Sequence, residues 1–239
     1  MAYHGYVHFI SQFAGVFNAP SILEIGVDKG QSLFPIANNL SKVCTNSDKS
    51  FLYTGVDVLI RDHVEIASGL INQTNWNDAS KIGLIQVFEE NSLDVMPHLI
   101  KNNLRYSTIL IDGDHNYATV SKELEYSLDL IHERGIIVCD DYDGKGGQQD
   151  EYFSNAPNFY RDEQITEPMT KLIKKEDDNS NNRTGVKDAV DEFLENNPEW
   201  AKYKFFTGEE PVVLYRKDRL EISTITHGKY KQINYKFLG

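Results

Sequence analysis

Cysteine, basic charge and long apolar runs are all scarce in this chain, and each shortage closes off a class of protein. Only two cysteines, Cys44 and Cys139, occur among 239 residues. That is too few for a disulfide framework, so a reducing, cytoplasmic setting is expected. Cys139 lies within an apolar stretch and reads as a small buried thiol. Lys and Arg number 24 against 36 Asp and Glu, a formal net charge of −12. Nucleic acids and anionic membranes require a basic face, so neither is expected as a partner. No stretch reaches the roughly 20 apolar residues of a membrane span. The opening MAYHGYVHFISQFAGVF also lacks the basic start of a signal peptide.

What is present suits a globular domain: 40% hydrophobic and 25% charged residues, on a chain long enough for one well-buried core with an elaboration. The densest information lies in YSTILIDGDHNYATVSKELEYSLDLIHERGIIVCDDYD, from Tyr106 to Asp143. Its β-branched start stops at Asp112-Gly113-Asp114-His115. Helical spacing follows through Val120, Leu124, Leu128 and Ile131. Arg134-Gly135 reads as the helix end, with a basic last turn and a glycine beyond it. Ile136 to Val138 form another strand, which runs into Asp140-Asp141. Two strands joined by a crossover helix lie parallel and right-handed, so both acidic clusters reach the same sheet edge. That edge is where open α/β sheets bind ligands. Carboxylates gathered there favour a divalent cation. Without one they raise one another's pKa, and ion pairs with Lys145 and Arg161 are the alternative.

The stretch SILEIGVDKG, from Ser21 to Gly30, is a strand followed by a glycine-punctuated turn and a helix with Leu33, Ile36, Ala37 and Leu40 on one face. Its E-x-G-x-x-x-G pattern lacks the extra glycines with which dinucleotide folds admit a pyrophosphate, so a nucleoside ligand without pyrophosphate is expected. FLYTGVDV, from Phe51 to Val58, is the second strand, with Asp57 near its tip to accept hydrogen bonds from ribose hydroxyls. A helix is expected over Arg61 to Asn77, a third strand over Leu84 to Phe88, and a further helix with Ser92 as its N-cap. The aromatic residues Tyr6, Phe9, Phe13 and Phe17 predict a short amphipathic helix covering a sheet face or lining a pocket mouth. Gly185 to Asn197 predicts a helix, and Lys202 to Phe206 with Pro211 to Arg216 predict a closing hairpin. The fold expected is α/β: a Rossmann-like, seven-stranded, mostly parallel doubly wound sheet with a C-terminal antiparallel hairpin.

The motifs ILEIGVDKG, YTGVDV, Asn91-Ser92, ILIDGDHNY and GIIVCDDYD together resemble class I S-adenosylmethionine-dependent methyltransferases. The last two are most similar to the small-molecule O-methyltransferases related to macrocin O-methyltransferase. The resemblance implies S-adenosyl-L-methionine as cofactor, with Glu24, Gly26 and Gly30 shaping the methionine pocket, Asp57 on the ribose and Ser92 near the adenine. It also implies a divalent metal, usually Mg2+, on Asp112, Asp140 and Asp141. Hard oxygen ligands of this kind suit magnesium. Asp114 is the proton acceptor that the resemblance favours, with His115 as second choice. The implied reaction is O-methylation of a hydroxylated small molecule, a sugar among the candidates. The competing readings are a non-catalytic protein that binds the cofactor or its demethylated product, and a nicotinamide-dependent oxidoreductase, which the missing glycine disfavours. The expected organisation is a helical segment at 1–20, a methyltransferase domain at 21–218 with an insertion or lid at 144–184, and a tail at 219–239. That tail reads either as an edge strand or as a contact between subunits of a homo-oligomer.

Overall fold

The computed structural model describes residues 4–58, 83–144, 146–150, 183–205, 211–227 and 230–238. The helix expected over Arg61 to Asn77, together with Lys145 and Arg161, lies outside the described residues. Five helices and nine strands are described: α1 His4–Gly15, β1 Ser21–Ile25, α2 Leu33–Ser47, β2 Phe51–Asp57, β3 Gly83–Glu89, α3 Ser92–Lys101 and β4 Tyr106–Ile111, then α4 Tyr117–Leu130, β5 Ile131–Cys139, α5 Gly185–Asn196, β6 Trp200–Lys204, β7 Val212–Arg216, β8 Leu220–His227 and β9 Tyr230–Phe237. Seven strands form one sheet in the order β3-β2-β1-β4-β5-β7-β6. The first five are parallel, and β7 returns antiparallel between β5 and β6. This is the doubly wound sheet with a closing hairpin that the sequence leads one to expect. The order reverses between β1 and β4, which is where such sheets open a ligand crevice at the strands' carboxyl ends.

Side chains alternate across the sheet, as the period of two demands. Ile22, Leu110, Ile136 and Val138 pack on one face with α1 and α2. Leu23, Ile25, Ile109, Ile111 and Ile137 pack on the other with residues of α3, α4 and α5. Helix α1 covers a sheet face, and Ile10 and Phe13 on it are fully buried. The tail is not an edge strand of this sheet among the described residues. Strands β8 and β9 pair only with each other among the described residues, as a separate two-stranded sheet. Tyr235 and Phe237 of β9 stack on Phe13, at 5.2 and 5.9 Å between ring centroids. No described helix is long and apolar enough to cross a membrane.

Two expected boundaries move, the strand expected over Lys202 to Phe206 running instead from Trp200 to Lys204, and the larger change lies at the end of α4. Helix α4 ends at Leu130, and Arg134-Gly135 lies inside β5. Ile131 is buried and already extended, and it pairs with Tyr106, after which the register slips so that Thr108 faces Ile136. The intervening His132 to Gly135 are thus accommodated as a bulge in the strand. A glycine fits there because a Cβ on Gly135 would stand 2.8 Å from the Ser107 carbonyl oxygen.

Candidate active site

The glycine turn after β1 is sewn to its neighbours through its own backbone. Gly26 donates to the Val56 carbonyl at 2.9 Å, and Gly30 to Val27 at 2.7 Å. Asp57 Oδ2 accepts from the N–H groups of both Val27 and Asp28, each at 2.8 Å. Gly26 has φ +89, and a Cβ there would stand 2.0 Å from the Asp112 carbonyl oxygen. The turn therefore rests directly on the acidic loop after β4, and only glycine permits that approach. Glu24 is fully buried beneath the turn, where it accepts hydrogen bonds from Ser32 and Tyr53. Burial pushes its pKa up to about 7, and the two hydroxyls only partly offset this.

The expected cofactor residues thus divide. Gly26 and Gly30 form the turn itself, Asp57 at the end of β2 holds its backbone N–H groups, and Glu24 supports it from below. Ser92 departs from the expected N-cap role: Asn91 caps α3 by accepting from the Leu93 N–H, while the Ser92 hydroxyl donates to Glu123 Oε1 on α4 at 2.5 Å. Asn91 and Ser92 are adjacent cap-type residues, and the buried acceptor on α4 decides which of them faces inward.

On the other side of the crevice, Asp112, Asp140 and Asp141 follow β4 and β5 at neighbouring strand ends. The Asp112 and Asp140 carboxyls are hydrogen-bonded to each other, and both pKa values are raised, first by burial. Each other's charge adds to the shift at Asp140. Asp141 has φ +57, a left-handed conformation that an Asp tolerates. His115 stands between them: its Nδ1 lies 2.9 Å from Asp141 Oδ2, and its Nε2 lies 3.7 Å from Asp112 Oδ1. Burial alone would lower the imidazole's pKa, but these two carboxylates outweigh it and push the value up to about 10. His115 Nε2 is buried with no hydrogen-bond partner among the described residues. Asp114 is differently placed. Its Oδ2 accepts from Asn116 and Thr119 and so fastens the first turn of α4, and burial raises its pKa to about 6.

The donor set of Asp112, Asp140 and Asp141 fits a hard divalent cation in chemistry, because three carboxylates short of positive charge meet at one edge. Their grouping is another matter. Among the described residues no three His, Cys, Asp or Glu stand together in a way that could hold a metal ion. Asp112 and Asp141 are instead turned to His115.

Comparison with protein families decides the family of the chain. A family described as a methyltransferase domain matches residues 23–142, half of the chain. The chain belongs to that family. It is a class I S-adenosylmethionine-dependent methyltransferase, and the matched span runs from β1 through Asp140, Asp141 and Tyr142. Among solved structures it is similar to an O-methyltransferase from Bacillus cereus in complex with SAH, at 17% identity and TM-score 0.51, covering 90% of this chain and 81% of that one. It is also similar to CalS11, a calicheamicin methyltransferase, at 11% identity and TM-score 0.55, covering 89% and 78%. At these identities the likeness is one of fold. No curated protein matches the sequence.

The candidate site includes residues that a reading of the sequence passes over. The polar run after Asp143 reads as insertion, yet Gly146 packs against the crevice. Its N–H donates to Asp141 Oδ2 at 3.2 Å, and a Cβ there would stand 2.7 Å from both Asp141 Oδ2 and His115 Nδ1. Asp150 Oδ1 accepts from the Tyr117 N–H at 2.8 Å and the Gly185 N–H at 2.7 Å, which puts one carboxylate at the N-termini of both α4 and α5. The GKGG spacing was a visible signal for close backbone approach, but nothing local pointed to its partners.

Proposed function

We propose that this methyltransferase transfers the S-adenosylmethionine methyl group to a hydroxyl oxygen of a small hydroxylated molecule, a class that includes sugars. In this reading Asp112, Asp140 and Asp141 hold a divalent cation and His115 takes the acceptor's proton. The observation that carries it is the placing of His115 between Asp112 and Asp141, with Asp140 at the neighbouring strand end, beside the glycine turn where the strand order reverses. The Bacillus cereus neighbour is itself an O-methyltransferase, in keeping with oxygen as the acceptor atom.

Methyl transfer is a displacement at carbon, so the protein's work is to align two partners and remove one proton. Gly26, Gly30 and Asp57 shape the cofactor side. Glu24 holds that turn through Ser32 and Tyr53, and Ser92 joins the wall near the adenine to α4 through Glu123. The cation's part is to supply positive charge that acidifies the acceptor hydroxyl and offsets the carboxylates. His115 is the better proton acceptor of the two candidates. Among the described residues His115 Nε2 and Asp114 Oδ1 are both buried without a hydrogen-bond partner. But Asp114 Oδ2 is held by Asn116 and Thr119 in the first turn of α4, whereas His115 lies between the Asp112 and Asp141 carboxylates. Were Asp112 and Asp141 to hold a cation, their pull on the imidazole would be offset, and His115 would be neutral and able to accept.

Calorimetric titration with S-adenosylmethionine tests the cofactor side, where absence of binding at millimolar ligand would sink it. Turnover that survives EDTA, or an Asp140→Ala variant with full turnover, would remove the cation from the reading.

A further inference from the structure

Just outside the acidic crevice the polarity reverses. Tyr142, directly after Asp141, is 1% exposed, and three lysine ammonium groups surround its ring. Lys202 Nζ lies 4.7 Å from the ring centroid, Lys204 Nζ 4.8 Å and Lys187 Nζ 5.8 Å. They come from two elements, Lys187 from the first turn of α5 and the other two from β6. The topology brings both elements to the active-site edge. Lys204 pairs across the sheet with Val212, and Val212 pairs with Cys139, the residue before Asp140. The Lys187 N–H donates to the Gly147 carbonyl, which ties it to the loop beside Asp141.

Two of the three cations are answered. Lys202 contacts Asp191, which also accepts from the Tyr142 hydroxyl at 2.8 Å, and Lys204 pairs with Asp143 at 2.8 Å. The ammonium of Lys187 has no carboxylate partner among the described residues, and its contact is the tyrosine ring. Like charges this close repel, and a cation over an aromatic face recovers only about 0.5–1 kcal/mol at a partly exposed site. In a chain of net charge −12 such a concentration of positive charge is not a by-product of composition. It leaves one ammonium without a carboxylate partner among the described residues, beside the loop that carries Asp141.

We infer that Lys187, Lys202 and Lys204, arranged around Tyr142, bind an oxyanion group of the methyl acceptor, a carboxylate or a phosphate. The inference rests on the proposed acceptor side and sharpens it. The acceptor carries a hydroxyl for the crevice and, a few bonds away, an anionic group for the lysines. Tyr142 sets the distance between the two subsites because it follows Asp141 in the chain.

The test uses the full-length protein with 13C-labelled lysine side chains, without cofactor or divalent cation, titrated separately with inorganic phosphate and with benzoate. The expected result is saturable movement of the Lys187, Lys202 and Lys204 signals together. Lys187→Gln leaves both carboxylate pairs in place and should weaken the binding about tenfold, the worth of one charge-assisted contact, with an unchanged melting temperature. Preference for phosphate over benzoate, or the reverse, names the source of the oxyanion. Shifts spread over all lysines without saturation, or binding unaltered in Lys187→Gln, would overturn the inference. Because neither cofactor nor cation is present, the anion titration is read independently of methyl transfer, and a failure of turnover in a separate assay with both added would count against the proposed reaction alone.

Discussion

On the glycine-turn side of the crevice, Glu24 and Asp57 are each answered by two donors of the fold, whereas on the side of β4 and β5 Asp112 and Asp141 share one imidazole and Asp140 lies against the charge of Asp112. Glu24 and Asp57 are buried and the three aspartates partly so, but burial is not the main difference. The difference is whether the fold completes them. The cofactor side is finished before any ligand arrives, and its charge serves to hold a backbone turn in place. The acceptor side keeps a surplus of negative charge that folding alone does not reward. A surplus kept at a cost is the mark of a place that waits for a ligand.

If that contrast holds, substitutions on the two sides must differ in kind. The largest effect is expected at His115. His115→Ala should lower kcat by about 10²–10⁴-fold, the usual worth of a general base, and leave the affinity for S-adenosylmethionine almost unchanged. An equal loss in cofactor affinity, read by calorimetry, would break the division of labour. Next comes Gly26→Ala, where a Cβ meets the Asp112 carbonyl at φ +89. Strain of this kind costs on the order of 3 kcal/mol, and because the two sides touch here both cofactor binding and turnover should fall. A matched pair sharpens the contrast further. Asp57→Asn should destabilise by about 1–3 kcal/mol as the charged acceptor of two N–H groups is lost. Asp140→Asn should instead stabilise the cation-free protein, since it removes a carboxyl that Asp112 and burial disfavour as an anion. Urea unfolding of both variants decides it, and a destabilised Asp140→Asn would sink the idea of a surplus.

The titration of His115 is a subtler probe. Its pKa is raised to about 10 in the fold, so its stabilising contribution is complete below the ordinary histidine pKa of about 6.5 and is lost as the pH rises towards 10. Magnesium added to the protein should draw the imidazole's titration back down, as followed by NMR of the ring protons. A titration unmoved by any divalent cation would separate His115 from the proposed metal ligands.

The fold was legible in the sequence because short apolar runs and glycine turns are local signals. Ser21 to Ile25, Phe51 to Asp57 and Ile136 to Val138 declare themselves without help from elsewhere. The α4–β5 boundary was not legible, since Ile131 leaves the helix only because Tyr106 offers it a strand partner. The site residues were legible as a set, through acids at two strand ends, but not in their roles. Whether Asp114 or His115 faces Asp112 depends on which of them Asn116 and Thr119 capture. Asp150 serves two helix N-termini from a run with no periodicity, and its partners lie more than thirty residues away in each direction. Long-range acceptors of this kind leave no trace in local pattern.

The smallest expected effect joins the two sides. Glu123 of α4 is fully buried, accepts from Ser92 on the cofactor side, and has no hydrogen-bond partner for Oε2 among the described residues. Burial, aided by the charge of Asp114, raises its pKa to about 8 against a partial offset from the Ser92 hydroxyl. A raised carboxyl pKa means that stability is complete below the ordinary glutamate value of about 4.3 and declines as the pH climbs towards 8, because the unfolded chain ionises first. Glu123→Gln keeps the shape and the acceptor but cannot ionise. It should match the parent within about 0.5 kcal/mol at pH 5, as a near-isosteric neutral replacement does. Above pH 8 it should be the more stable of the two, with the Michaelis constant for S-adenosylmethionine little changed. Unfolding curves at the two pH values separate a neutral strut from a buried anion. If the variant is weaker at both, Glu123 is charged in the fold, and the surplus of negative charge extends across the seam into the cofactor side.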